Sequence, residues 1–278
     1  MSGSDGARPG PRPFFLFEHG GGAIDALLPS PAVLAPAETI PAPPLPRELK
    51  WANVAMLRMD QQKGRPVLVE FWDFCRVNSL RTIPYLQAWH EKYEADGLRV
   101  IGVHAGAYPP SQDEEEIRAA VERLGITYPV AIDGEWRLWH DYGNKGWPAR
   151  YLWTPELWLH SYHYGEGLYQ ETEREIQQLL GVEGELVAPQ RPEDAEDARV
   201  GQPTEEKVGA YSGPYEAGSA WAVVSGAGTL RANGREIVVE HSGCVPLAEH
   251  GRHTAAVLEL EGGDGVTIHA VQFAPGVV

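Results

Sequence analysis

Residues 66–105 read PVLVEFWDFCRVNSLRTIPYLQAWHEKYEADGLRVIGVHA, and the fold is decided there. Pro66 to Trp72 is an unbroken apolar run of strand length apart from Glu70, the pattern of a strand buried on both faces. Leu80, Ile83, Leu86, Trp89, His90 and Tyr93 then recur at helical spacing, and Leu98 to His104 is a second buried-strand run. Working outward, Gln112 to Leu124 predicts an amphipathic helix. Its acidic first turn, Asp113-Glu114-Glu115-Glu116, suits the positive end of the helix dipole, and Gly125 stops it. Tyr128 to Ile132 reads as a strand and Glu135 to Tyr142 as a short helix. Two strands follow, about Arg150 to Trp153 and Leu157 to Tyr162, and a helix from Tyr169 to Leu180 closes the unit. The order βαβαβαββα predicts a mixed sheet with helices on both faces.

The flanks have a different texture. Residues 1–40 are expected to form a Pro/Gly-rich arm, since residues 1–50 hold ten of the 23 prolines and a Gly20-Gly21-Gly22 run. Phe14 to Phe17 are too apolar for a fully solvated tail and are expected to dock. The region 183–208 carries eight acids against three bases, which predicts a solvated, protease-sensitive linker between domains at 41–182 and 209–278. After Gly209 come short alternating strands with Gly or Asn turns. Asn233-Gly234 between two such runs is a strong hairpin signal, so a small all-β, sandwich-like domain is expected.

Composition narrows the function classes. Hydrophobic residues at 43% and charged residues at 22% suit a soluble globular chain, and a formal charge of −16 disfavours nucleic acid and anionic membranes as partners. The apolar run Ala26 to Ala37 is broken by prolines and is shorter than the roughly 20 residues a membrane span needs. The N-terminus does not read as a signal peptide, and only two cysteines, Cys75 and Cys244, point to a reducing cytoplasm.

Residues 66–105, with RLGITYPVAIDGEWRLWHDYGNKGWPARYLW and HSYHYGEGLYQETEREIQQLL further on, resemble the thioredoxin-like domains of the TlpA/ResA and DipZ type, within the redoxin superfamily. The resemblance covers about residues 40–182. It implies a thioredoxin-like α/β fold, a thiol redox function and a cis-proline segment at Trp147-Pro148-Ala149 facing the redox motif. DipZ-type proteins also carry a β-sandwich after this unit. Where the family has Cys-x-x-Cys, this chain has Arg76-Val77-Asn78-Ser79, so neither family sulfur is present.

Cys75 stands one residue earlier, at the expected start of the helix. There the free N–H groups of Val77 and Asn78, the helix dipole and Arg76 would lower its pKa. The competing reading is a small apolar filler, since unpaired cysteine is among the most buried residue types. A peroxiredoxin-like role is weaker, because Trp72 stands where that family has Thr. The leading expectation is a single-cysteine thiol oxidoreductase or peroxidase using Cys75, assisted by Arg76. An external low-molecular-weight thiol or a partner protein's thiol would act as resolver. The alternative is a redox-inactive module that binds a peptide or small ligand in the groove made by Asn78, Ser79, Trp147 and Pro148. No metal or organic cofactor is expected. His104 at a strand end, the group His160, His163 and Glu166, and the group Glu249, His250, His253 and His269 read more readily as ordinary polar positions than as ligands. Gly262-Gly263-Asp264-Gly265 reads as a turn.

Overall fold

The computed structural model describes residues 39–278. The expectations for Phe14–Phe17, Gly20–Gly22 and most of the 1–40 arm lie outside the described residues. The strands of the first unit are β1 (Lys50–Ala52), β2 (Val67–Trp72), β3 (Arg99–His104), β4 (Val130–Ile132), β5 (Ala149–Trp153) and β6 (Leu159–Tyr164). They form one six-stranded sheet in the order β1-β4-β3-β2-β5-β6. β2, β3 and β4 run parallel, while β1, β5 and β6 pair antiparallel with their neighbours. The helices are α1 (Val77–Tyr93), α2 (Glu114–Arg123), α3 (Arg137–Asp141) and α4 (Tyr169–Leu180).

Both faces of the sheet are covered, and the strand alternation divides their cores. Leu68, Val100, Val130 and Leu152 pack with Leu86 and Trp89 of α1, Ile117 of α2 and Ile176 of α4. Val67, Val69, Phe71, Ile101 and Tyr151 point the other way, onto Leu138 and Trp139 of α3 and onto Leu45, Trp51 and Met59. That is why β2 reads as a continuous apolar run. The polar exception, Glu70, is buried and accepts a 3.1 Å hydrogen bond from Nε of Arg150. Arg150 also donates to Thr172 at 2.8 Å and lies over the Trp89 and Tyr169 rings.

The second unit contains β7 (Lys207–Val208), β8 (Gly213–Gly226), β9 (Gly228–Ala232), β10 (Arg235–Val239), β11 (Gly243–Leu258), β12 (Leu260–Gly262) and β13 (Val266–Ala274). A four-stranded sheet, β11-β8-β13-β7, faces a three-stranded one, β10-β9-β12, across a core that includes Ala222, Val224, Leu230, Val239, Leu258 and Phe273. The Asn233-Gly234 turn joins β9 to β10 with φ of 49° and 75°, the left-handed pair that a two-residue hairpin needs.

The region 183–208 is exposed or half-exposed apart from the buried Asp194, yet it is anchored along its length. It runs against α1 and α4, because its acids meet cations and hydroxyls of the first unit. Glu193 pairs with Arg81 at 2.6 Å, Asp194 accepts from the Tyr85 hydroxyl at 2.8 Å, and Glu196 takes a two-point contact from Arg174. Val187 N–H donates at 2.7 Å to the buried Glu173, which also receives Trp89, Lys92 and Tyr93.

Glu70 and Arg150 supply a direct stability test. Arg150→Met should cost about 3–5 kcal/mol, because Glu70 is left buried without its counter-charge. The double replacement Glu70→Met with Arg150→Met should recover most of that loss. Urea unfolding of the three proteins measures both.

Candidate functional site

The site lies at the C-terminal edge of β2 and β3, where open α/β sheets bind ligands. β2 ends at Trp72, and Asp73-Phe74-Cys75-Arg76 turns the chain into α1. Asp73 organises that turn. One carboxylate oxygen accepts the Cys75 N–H at 2.8 Å; the other accepts the Ala107 N–H at 2.7 Å and the Ser111 hydroxyl at 3.1 Å. The loop bearing Ala107 and Ser111 comes this close because residue 106 is glycine: a Cβ there would lie 1.9 Å from the Ser111 carbonyl oxygen. Burial pushes the Asp73 carboxyl upward, and those same hydrogen bonds oppose the shift.

His104 closes the other side. Its Nε2 accepts the Phe74 N–H at 3.3 Å, which requires the neutral ring, and burial lowers its pKa to about 3. It therefore does not form an ion pair with Asp73, 3.8 Å away. The strand-end histidine is a neutral hydrogen-bond acceptor.

Four of the expected site residues converge. Cys75 and Arg76 share the turn. The Asn78 side chain donates to the Trp147 carbonyl at 2.7 Å, and the Arg76 guanidinium lies 4.8 Å over the Trp147 ring and 5.4 Å over Tyr108. The Trp147–Pro148 peptide bond is cis. Two expected lining residues do not face a groove. Ser79 is fully buried with its hydroxyl unpartnered, because the helix turns that position toward the protein interior, and Pro148 is buried as well.

Cys75 differs most from expectation. It is 0% exposed, and burial pushes its thiol far above the ordinary range. The Asp73 carboxylate and Cys244 add to the shift, against smaller opposing effects from Ser111 and Arg76. Burial outweighs the helix N-terminus here, and two of the donors of its first turn are already taken. Val77 N–H donates at 2.9 Å to Oε1 of Gln272, and Ser79 N–H donates to the Asn78 side chain.

Gln272 belongs to β13, so the second unit covers the site. Its Nε2 donates to the Cys75 carbonyl at 3.1 Å and to Glu206 at 2.8 Å; Glu206 in turn pairs with Arg76 at 3.2 Å. Asp73, Glu206, Tyr108 and Gln272 are the residues that sequence reading missed. An acid ending an apolar strand run is a usable signal for Asp73. The others come from loops and strands whose approach no local pattern encodes.

The histidine groups are dispersed. Glu166 pairs with Arg81 at 2.6 Å, and His163 contacts the Glu166 carbonyl at 2.9 Å. His250 meets Tyr215, His253 stands 3.8 Å from Glu216, and His269 meets Ser225. Among the described residues no three His, Cys, Asp or Glu side chains gather as a metal site.

No family model matches the chain. It is 34% identical over 142 residues to protein DipZ of Mycobacterium tuberculosis, a match covering 50% of this chain and 20% of DipZ. The chain thus spans a fifth of the length of that relative. It is 24% identical over 140 residues to the thiol-disulfide oxidoreductase YkuV of Bacillus subtilis, covering 50% of this chain and 94% of YkuV. A thioredoxin-like protein solved in its oxidised form superposes with a TM-score of 0.47 at 25% identity, covering 51% and 97% of the two chains. Thiol-disulfide oxidoreductases are thus among the relatives of the first unit, a mixed sheet with helices on both faces.

Two measurements follow from this geometry. Asp73→Asn turns an amide NH2 toward N–H or O–H donors and should cost about 1–3 kcal/mol in chemical denaturation. In the native chain iodoacetamide should modify the half-buried Cys244 before Cys75, the reverse of the order that a helix-activated Cys75 implies. Cys75 labelling should still be climbing at pH values where a thiol of ordinary pKa, about 8.5, has levelled off. Because the folded-state pKa is raised, the associated stability is complete below about 8.5 and is lost as pH rises above it.

Proposed function

We propose that the chain is a thioredoxin-like redox protein in which Cys75 carries the change in oxidation state. The observation that supports this most is the position of Cys75. It stands between the end of β2 and the first turn of α1, with Arg76 and Asn78 linking that turn to Trp147. The similarity to a thiol-disulfide oxidoreductase over most of that relative's length supports the same reading. The substrate class is a disulfide or thiol, on a protein or a small molecule, with a second thiol completing each exchange. Two cysteines in the whole chain suit a reducing compartment, and we place the protein in the cytoplasm.

Arg76 and Ser79 cannot supply the sulfurs of a helix-start dithiol, and the thiol that is present is held protonated. Exchange is therefore slow at neutral pH and rises with alkalinity.

Turnover of a disulfide-bonded reporter peptide, with glutathione as reductant, tests the reading. The wild-type chain should release peptide thiol slowly, and Cys75→Ala should slow that release further. Arg76→Cys with Ser79→Cys should accelerate it by roughly tenfold or more by placing two thiols at the helix start. Release that is unchanged in Cys75→Ala would remove the redox role of this residue and leave the peptide-binding alternative.

A further inference from the structure

Cys244 lies on β11, and the register of the covering sheet fixes which way its row faces. Cys244 pairs with Val223 of β8, and Val223 pairs in turn with Ala270 of β13. Cross-strand partners share a face. Val223 and Ala270 are part of the core cluster that contains Cys75 and Phe74, and Cys244 packs against that same cluster. Their strand neighbours Ala222, Val224, Val245 and Val271 belong instead to the core of the second unit. The row Cys244, Val223, Ala270 thus points out of the β unit and onto the turn that bears Cys75. Gln272 lies on the same face of β13, two residues after Ala270, and bonds the Cys75 carbonyl.

The backbones approach closely at this point. A Cβ on Gly243 would lie 3.4 Å from the Phe74 ring and 3.7 Å from the Phe74 carbonyl oxygen. Gly243 precedes Cys244, and Phe74 precedes Cys75. Each sulfur-bearing residue is therefore the immediate successor of a residue in contact. Cys75 is sealed, and Cys244 is half-buried as a residue, although burial against the Cys75 turn, with the Asp73 carboxylate nearby, also raises its thiol well above the ordinary range.

We propose that Cys75 and Cys244 form one dithiol–disulfide couple, assembled across the two units, in which Cys244 is the sulfur that meets the substrate and Cys75 the sulfur that closes the bond. The couple rests on the redox reading above and replaces its external resolver with a residue of the same chain. Cys244 loses its proton and attacks one sulfur of a substrate disulfide. That bond breaks, the first substrate thiol leaves with a proton, and a mixed disulfide remains on Cys244. Cys75 then loses its proton and attacks the Cys244 sulfur. The second substrate thiol leaves protonated, and the protein holds a Cys75–Cys244 disulfide. Two electrons and two protons have passed from the protein thiols to the substrate disulfide. Glutathione reverses the steps and restores the dithiol.

The test uses the full chain, reduced, freed of reductant and equilibrated in glutathione buffers from fully reduced to fully oxidised. Samples are quenched in acid, alkylated in denaturant and mapped by mass spectrometry without reduction. The expected product is a monomer lighter by two hydrogens, with the Cys75 peptide joined to the Cys244 peptide and both alkylation sites lost together. Cys244→Ser and Cys75→Ser should each abolish the cross-link completely. Cys244→Ser, at the half-buried position, carries the test should Cys75→Ser fail to fold. Glutathione accumulating on Cys75 with no cross-link would overturn the couple and leave the redox role of Cys75 standing. A cross-link that appears only in dimers would overturn it too. Two thiols that stay free in every buffer would overturn both the couple and the redox reading.

Discussion

The first turn of α1 has no side-chain cap of its own, and that deficit organises the site. Arg76 at the cap position makes no capping hydrogen bond, so the N–H of Val77 must find a partner elsewhere. It finds Gln272, 195 positions away in sequence, in the other unit. The amide orientation is dictated by its neighbours: Val77 N–H can only donate and the Cys75 carbonyl can only accept. A single side chain therefore completes the helix end, ties down the cysteine backbone and seats the β sheet over both. In a buried position each of these groups would otherwise carry a desolvation cost of about 1–3 kcal/mol. The cover is thus part of the fold of the first unit as well as a lid on its site.

The same logic explains the acidic stretch. A net charge of −16 would be expected to push acids outward, yet Glu173, Asp194 and Glu70 are buried. Each has a donor placed against it: Tyr93 and Trp89 for Glu173, Tyr85 for Asp194 and Arg150 for Glu70. Aromatic hydroxyl and indole groups do much of this pairing. They satisfy a carboxylate while burying their own apolar surface on α1.

How much of this was legible beforehand followed the range of the interaction. β2, β3, α2 and α4 are local patterns, and Tyr169–Leu180 is found with the bounds its spacing predicts. β1 escaped notice because three residues, Lys50–Ala52, are too few to show a period, and they pair with β4 some eighty positions on. The place of Cys75 was readable from the run ending at Trp72. Its chemistry was not, because Glu206, Gln272 and Cys244 reach it from far along the chain. The contacts of the 183–208 stretch were hidden for a related reason. Charge density reads as solvation only until Arg81, Tyr85 and Arg174 arrive from the helices.

A helix end completed by a residue 195 positions later also has a consequence in time. At about 5–20 residues per second, the ribosome needs roughly 10–40 s to travel from Val77 to Gln272. Through that interval the nascent first unit can gather its sheet and helices with its first turn open to water and its cysteine uncovered. A small-molecule thiol or oxidant would meet Cys75 in that interval without the cover that Gln272 and β13 give it in the finished chain. The chemical state of that sulfur when β13 closes over it is therefore partly a record of how the chain was made.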